Sequence, residues 1–168
     1  MVGGAGLSHV VTREAARDRF LTARVARLAT VGADGAPHVV PVTFAVVEIE
    51  DQEQAEDAHD AGAGEFGAAE VIVFGVDHKP KSTLALRRLA NIVAEPRVAF
   101  LADHYDEDWS ALWWVRVEAT ARIVTGSIRG RAVQALAHRY PQYAALPPEG
   151  PVVGSWVTNW SGWQATER

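Results

Sequence analysis

Residues 71–100 constrain the fold most, because they predict a strand, a basic loop, a helix and a second strand in close succession. The run VIVFGV is short, apolar and rich in β-branched side chains, which is typical of a buried strand. The helix begins after Ser82, a good N-cap residue, and ends before Glu95-Pro96, because proline lacks an N–H and restricts the residue before it. A helix is therefore predicted over residues 83–94.

The loop before this helix carries Lys79 and Lys81, which are the only lysines in the chain. Two ammonium groups beside a helix N-terminus form a favourable seat for a phosphate or a carboxylate. We therefore predict an anion site at Lys79, Lys81 and Ser82, where a phosphorylated cofactor docks. The alternative is a solvated loop with a capped helix behind it, since exposed lysines are common on protein surfaces.

The chain has 168 residues, and we expect a single domain over residues 1–168 with a flexible glycine-rich segment at residues 1–10. It contains no cysteine, which excludes disulfides, cysteine-ligated zinc, iron–sulfur clusters and thiol catalysis. The sequence shows neither a signal-peptide pattern nor an apolar run long enough to span a bilayer. A cytoplasmic protein that does not bind membranes is expected.

The net charge of −5 comes from one acidic segment. Residues 51–69 contain six acidic side chains and neither lysine nor arginine, so we predict an acidic surface insertion. The rest of the chain is close to neutral and lacks the basic surface that nucleic-acid binding requires. Gly62, Gly64 and Gly67 form a GxGxxG pattern, but a strand follows them rather than a helix, which argues against a dinucleotide site.

The remaining patterns are mostly β. Asp34-Gly35 predicts a hairpin turn, and Pro41 predicts a break or bend in a long strand. Six or seven strands with three helices do not fit a regular βαβ series, so we predict a mainly β fold, an antiparallel barrel with helices packed at its ends. Strands are predicted over residues 25–31, 38–50, 71–76, 97–102, 112–124 and 152–166, and further helices over residues 13–24 and 126–140.

No motif for a metal or for hydrolysis is present. Residues 103–109, DHYDEDW, offer oxygen and nitrogen donors but lack the glycine and the distal glutamate of an EF-hand loop. The chain contains neither HExxH nor GxSxG. We therefore predict no metal site and assign no catalytic acid or base. All six tryptophans lie between residues 109 and 163, which suits a core, a subunit interface or a flat wall for a ring cofactor.

The order of these segments resembles the pyridoxamine 5′-phosphate oxidase-like superfamily of split β-barrel flavoproteins. The resemblance covers roughly residues 20–123, through RLATVGADGAPHVVPVTF and then the stretch from VIVFG to ARIV. The block DHYDEDW…LWWVR resembles most specifically the F420-dependent oxidoreductases of the actinobacterial branch. The resemblance implies a split β-barrel with flanking helices and a homodimer with two cofactor sites at its interface. It implies that the cofactor ring contacts one strand at Pro41, Val42 and Thr43 and the end of another strand at Val76. It also implies that Lys79, Lys81 and Ser82 in the loop bind the phosphate, and that the second subunit contributes Trp113.

The cofactor implied by the resemblance is F420 or FMN. This chain has His78-Lys79 where the flavin oxidases tend to have Ser-Arg-Lys, and Val39-Val40 where they place a basic residue, which favours the deazaflavin F420. The expected function is F420-dependent hydride transfer to or from an unidentified small organic substrate. The alternatives are an FMN-dependent oxidase or reductase, and a carrier or sensor that binds the cofactor, or haem, without turnover.

Overall fold

The computed structural model describes residues 8–50, 69–76 and 83–165. None of the helices in these ranges is long and apolar enough to cross a bilayer. The described residues form eight strands, four helices and a 3₁₀ turn at Trp109–Ala111. In chain order the strands and helices are β1 (Ser8–Val10), α1 (Arg13–Thr22), β2 (Ala26–Val31), β3 (Pro37–Val42), β4 (Ala45–Ile49), β5 (Ala69–Gly75), α2 (Thr83–Ala94), β6 (Arg97–His104), β7 (Trp113–Val124), α3 (Gly126–Arg139), α4 (Pro141–Ala145) and β8 (Val152–Ala165).

The described strands form one antiparallel sheet in the order β3-β2-β6-β7-β8-β5-β4, with β1 added along the end of β8. Strands β3 and β4 stand at opposite ends of this order, yet only Thr43 and Phe44 separate them in the chain. Three residue steps cover about 10 Å, so the sheet has to curl until its two edges meet. The result is a split β-barrel, and the mainly β fold expected from the sequence is confirmed.

Two apolar cores hold the barrel and its helices in place. The first fills the barrel interior and includes the fully buried Leu28, Phe74 and Phe100. The second lies between α3 and the outer face of β4, β5 and β8, where Val71 and Leu136 are among its buried members. Strand β5 contributes to both cores, which explains why its sequence is continuously apolar rather than alternating.

Several local predictions agree with the structure. Gly35 has a φ of +78°, a left-handed conformation that glycine adopts at little cost, and it closes the β2–β3 hairpin. Helix α2 has the predicted bounds, and the N–H of Glu95 closes its last turn on the carbonyl of Asn91 at 2.7 Å. The residues of β7 alternate between buried and more exposed positions, as predicted for residues 115–122.

The predicted break near Pro41 lies slightly later in the chain. Pro41 is inside β3 and is paired with Arg27 of β2. Because β3 is an edge strand, the missing N–H of a proline can face away from the ladder. The chain leaves the sheet at Thr43 and Phe44 instead, where it crosses from one edge of the sheet to the other.

The two segments predicted to be loose have different bounds in the structure. Residues 1–10 were expected to be flexible, but Ser8–Val10 form β1 and pair with residues 163–165 of β8. The acidic insertion predicted over residues 51–69 lies outside the described residues, except for Ala69, which begins β5.

Candidate cofactor site

Two strand ends that were predicted to contact a cofactor meet at the barrel. Strand β4 pairs with β5 from Ala45, which lies opposite Val73, to Ile49, which lies opposite Ala69. Val42 and Val76 are 5% and 4% exposed and belong to the same buried cluster in the barrel interior. The ends of β3 and β5 therefore contribute to one core, and Val42 lies three residues before the first residue of β4 that pairs with β5.

The surface at these strand ends is apolar with one hydroxyl. Val42 and Val76 are buried, Pro41 is exposed, and Thr43 is half-buried. Ligand pockets commonly combine apolar walls with a few fixed polar groups. This arrangement can hold one edge of a planar ring and offer it a hydrogen-bonding hydroxyl.

The predicted anion-binding residues Lys79, Lys81 and Ser82 lie outside the described residues. Their role stays a prediction. The chain enters this segment directly after Val76, the last described residue of the β5 end.

Helix α2 carries further positive charge beside the barrel. Arg87 is exposed and Arg88 is half-buried on its surface. Burial lowers the pKa of His38 on β3, and the charges of Arg87 and Arg88 lower it further. The positive potential of α2 therefore reaches the inner face of β3. The buried Asn91 attaches the helix to β2 by donating from Nδ2 to Oγ1 of Thr30 at 3.0 Å.

The bend between β3 and β4 is fixed by two tyrosines near the end of α3. The hydroxyl oxygens of Thr43 and Tyr143 are 3.1 Å apart and share a hydrogen bond. The N–H of Phe44 donates to the hydroxyl of Tyr140 at 3.1 Å. The conformation of the bend therefore depends on residues that lie about a hundred positions later in the chain.

The end of β5 is held by the segment before β8. The N–H of Val76 donates to the carbonyl of Pro151 at 2.9 Å, which extends the β5–β8 ladder by one bond. Pro148 packs so closely on Gly75 that an added Cβ would lie 2.9 Å from the Cβ of Pro148. Glycine is needed at position 75 for this close approach.

Trp113 is not brought to this site within one chain. Gly75 pairs with Val152, the first residue of β8, whereas Trp113 pairs with Gln164 near the last residue of that strand. Twelve residues of extended strand span up to about 40 Å. Trp113 instead packs against the barrel core, with the guanidinium carbon of Arg19 at 5.3 Å from its ring centroid.

The outer face of β3, β2 and β6 is left uncovered by the described elements. Val39, Val31 and Leu101 point outward from these strands and are 59%, 39% and 36% exposed. A shallow depression of about 450 Å³ lies on the same side of the sheet. Its lining includes Ala29, Pro37, Ala99, Glu118 and Thr158.

The acidic residues of the β6–β7 loop make local contacts. Within the described ranges, no cluster of three histidine, aspartate or glutamate side chains could hold a metal ion. Asp108 accepts from the N–H and the hydroxyl of Ser110, and this lowers the pKa of its carboxyl group. Nε2 of His104 lies 3.6 Å from an oxygen of Asp106.

Sequence analysis missed Tyr140, Tyr143 and Arg129, which all act on the site from outside it. The helix before Pro141 was predicted, but no motif marks these side chains. The partners of the two tyrosines lie about a hundred positions away in the sequence, and the partner of Arg129 is a backbone carbonyl 19 positions away. Only the folded chain shows these contacts.

Solved structures of other proteins share this architecture. A FAD-binding protein from Mesorhizobium loti is 18% identical, with a TM-score of 0.61 over 97% of this chain and 100% of that one. A protein from Corynebacterium glutamicum, provisionally assigned as a pyridoxamine 5′-phosphate oxidase, is 16% identical, with a TM-score of 0.57 over 96% and 100%. The fold is the split β-barrel of the pyridoxamine 5′-phosphate oxidase-like proteins.

The same split barrel also occurs in a protein of a different kind. The haem storage protein of Vibrio cholerae is 15% identical, with a TM-score of 0.53 over 89% of this chain and 94% of that one. No family model matches the sequence, and no curated protein matches it either. At these identities the likeness establishes the fold alone.

Proposed function

We propose that this protein is an F420-dependent oxidoreductase that transfers hydride between F420 and a small organic substrate. The observation that carries the proposal is that Val42 and Val76 belong to one buried cluster, and that Val76 directly precedes the segment that contains both lysines of the chain. Apolar strand ends and a cationic loop suit a cofactor that joins a planar ring to a phosphate.

The side chains have distinct parts in this proposal. Val42 and Val76 shield one edge of the ring from water, and Thr43 offers it a hydroxyl that Tyr143 orients. Lys79 and Lys81 bind the phosphate through charge-assisted contacts. When bound, the deazaflavin supplies the hydride chemistry, and the protein supplies binding, orientation and a dry surface.

We further propose that the working form is a homodimer. Trp113 lies at the far end of β8 from Val76, so a site that contains both needs a second chain. The uncovered outer face of β3, β2 and β6 presents Val39 and Leu101 to solvent, and a second copy would bury them.

FMN is the second candidate cofactor. A structural neighbour of this fold binds FAD, so a flavin is about as well supported by the comparisons as F420. The preference for F420 rests on His78-Lys79, where the flavin oxidases tend to have Ser-Arg-Lys, and on Val39-Val40, where they place a basic residue. The haem storage protein with this fold supports a third possibility, a carrier without turnover.

The first experiment is a titration of purified protein into oxidised F420, followed by fluorescence anisotropy, with FMN and haem titrated in parallel. Saturable F420 binding with weak FMN binding supports the proposal and is followed by a search for substrates that oxidise reduced F420. Tight FMN binding without F420 binding establishes the second candidate, and haem binding alone establishes the third.

The phosphate site is tested by Lys79→Ala combined with Lys81→Ala. A hydrogen bond to a charged group contributes about 1.5–3 kcal/mol, so each lysine should contribute at least about tenfold in affinity. Arg13→Ala is a control, because Arg13 is an exposed cation at the start of α1. Unchanged affinity in the double variant would show that the cofactor phosphate binds elsewhere.

A further inference from the structure

We infer that the connection between α3 and β8, residues 140–151, clamps both strand ends of the candidate cofactor site. In this arrangement Tyr143 and Arg129 are positioning residues, which touch the cofactor-contacting groups or their supports. The inference rests on the proposed function, because it assigns a purpose to contacts around Thr43 and Val76.

The first arm of the clamp reaches the β3–β4 bend. Tyr143 in α4 holds the hydroxyl of Thr43 at 3.1 Å, and Tyr140, just before α4, holds the backbone N–H of Phe44 at the same distance. Tyr140 is only 4% exposed, so this end of the connection is buried against the barrel. The hydroxyl oxygen of Thr43 is thereby held in place.

The second arm reaches the end of β5. A guanidinium nitrogen of Arg129 lies 3.2 Å from the carbonyl oxygen of Pro148, and 3.4 and 3.5 Å from those of the next two residues. The same segment packs Pro148 on Gly75 and offers the carbonyl of Pro151 to the N–H of Val76. Arg129 therefore binds residues 147–151, which we call the strap, and the strap in turn contacts Gly75 and Val76.

The composition of the strap suits this purpose. PPEGP, residues 147–151, has three prolines, which restrict φ and donate no backbone hydrogen bonds. Such a segment forms little internal structure, so its position depends on donors from outside, and Arg129 is one. The paired residues of β5 and β8 end at Gly75 and Val152, and the bond from the N–H of Val76 to the carbonyl of Pro151 continues the ladder into the strap.

The test compares two arginines of the same helix. Arg129→Met removes the donor to the strap while keeping most of the side-chain volume. Arg131→Met is the matched control, because Arg131 donates to the carbonyl of Glu48 in β4 at 2.6 Å, away from the strap. Tyr143→Phe removes the hydroxyl that holds Thr43 and leaves the ring in place.

Two readouts separate positioning from general stability. The first is the affinity for oxidised F420 and for FMN, and the second is the hydrogen-exchange rate of the Val76 amide by NMR. Loss of one hydrogen bond changes an equilibrium by about 3- to 10-fold. We expect Arg129→Met and Tyr143→Phe to lower, by that factor, the affinity for whichever probe the wild type binds. Arg129→Met should also speed exchange at Val76, and Arg131→Met should change neither readout. Arg129→Lys should restore part of the affinity.

Each outcome has a defined meaning. If the wild type binds a probe and Arg129→Met binds it equally well, the clamp is overturned while the proposed function stands. If the wild type binds neither probe, the proposed function fails. The exchange rate of Val76 then decides the clamp, since an unchanged rate in Arg129→Met overturns it and a faster rate supports it.

Discussion

The hydroxyl of Tyr140 accepts a hydrogen bond from the N–H of Phe44 at 3.1 Å and lies 2.9 Å from the carbonyl oxygen of the same residue. The same hydroxyl lies 2.8 Å from the carbonyl oxygen of Arg24, so two backbone carbonyls share its single proton. Phe44 is fully buried, so water cannot replace this partner. Tyr140 therefore supplies an acceptor for the buried N–H of Phe44 where the chain crosses from one edge of the sheet to the other.

Tyr140→Phe should destabilise the protein. The substitution keeps the ring but leaves backbone groups of Phe44 buried without that partner, which costs about 1–3 kcal/mol. Urea unfolding followed by tryptophan fluorescence measures the loss. Tyr105→Phe is the control, because Tyr105 is 69% exposed and its substitution should be silent. Equal stability of the two variants would contradict this account of the bend.

Ser155→Ala should leave stability unchanged or raise it. The hydroxyl of Ser155 on β8 is fully buried and has no hydrogen-bond partner among the described residues. A buried hydroxyl without a partner costs about 1–3 kcal/mol, and alanine removes that cost with a small loss of volume. Thermal unfolding of the variant and the wild type tests this. A clear fall in the melting temperature would show that the hydroxyl has a partner in solution.

Stability should fall as the pH drops below the usual pKa of histidine, and His38 should contribute to this fall. Burial and the charges of Arg87 and Arg88 lower its pKa in the folded protein. The unfolded chain therefore binds a proton at a higher pH than the folded one does, so the contribution of His38 is constant above about pH 6.5. Below that pH the contribution is lost progressively, until the folded protein also binds the proton.

His38→Gln tests this linkage. The difference in unfolding free energy between pH 7.5 and pH 5.5 should be smaller in this variant than in the wild type. His138→Gln should keep the wild-type difference, because His138 is exposed near the end of α3. If His38→Gln retains the full pH dependence, other groups are responsible for it.

Val39→Lys should weaken the proposed dimer. Val39 is 59% exposed on the uncovered face of β3, and a lysine there would place a charge between two apolar surfaces. Sedimentation velocity should show a dimer for the wild type and a larger monomer fraction for the variant. Val93→Lys, at a 74% exposed position near the end of α2, should stay dimeric. A monomeric wild type would rule out the two-chain site.

The local structure was largely predictable because it depends on neighbouring residues. Pro96 ended α2 where expected, Asp34-Gly35 formed the hairpin turn, and the period-two alternation indicated the faces of β7. The resemblance implied a split barrel, and the structure confirms it. Turn residues, helix-ending residues and hydrophobic periodicity are properties of short segments, so they can be recognised directly in a sequence.

The candidate site was predictable only as separate pieces. Val42 and Val76 were assigned to one cofactor by resemblance, and the barrel places them in one cluster. The resemblance assigned Trp113 to the second subunit, and only strand register shows that within one chain it pairs near the end of β8 that is remote from Val76. The contacts of Arg129 with the strap have no sequence signal, since their acceptors are backbone carbonyls that every residue has.

The sequence by itself determined where most of the strands and helices form, that two lysines precede α2, and that the chain contains no thiol chemistry. The tertiary structure alone decided that β3 and β4 stand at opposite edges of one sheet, and that Tyr140, Tyr143 and Arg129 hold the strand ends where those edges meet. The physical reason is that hydrophobic periodicity and turn-forming residues determine the conformation of only a few neighbouring residues. Closure of a barrel depends instead on strand registers and hydrogen bonds between segments that are distant in the sequence, such as Thr43 and Tyr143.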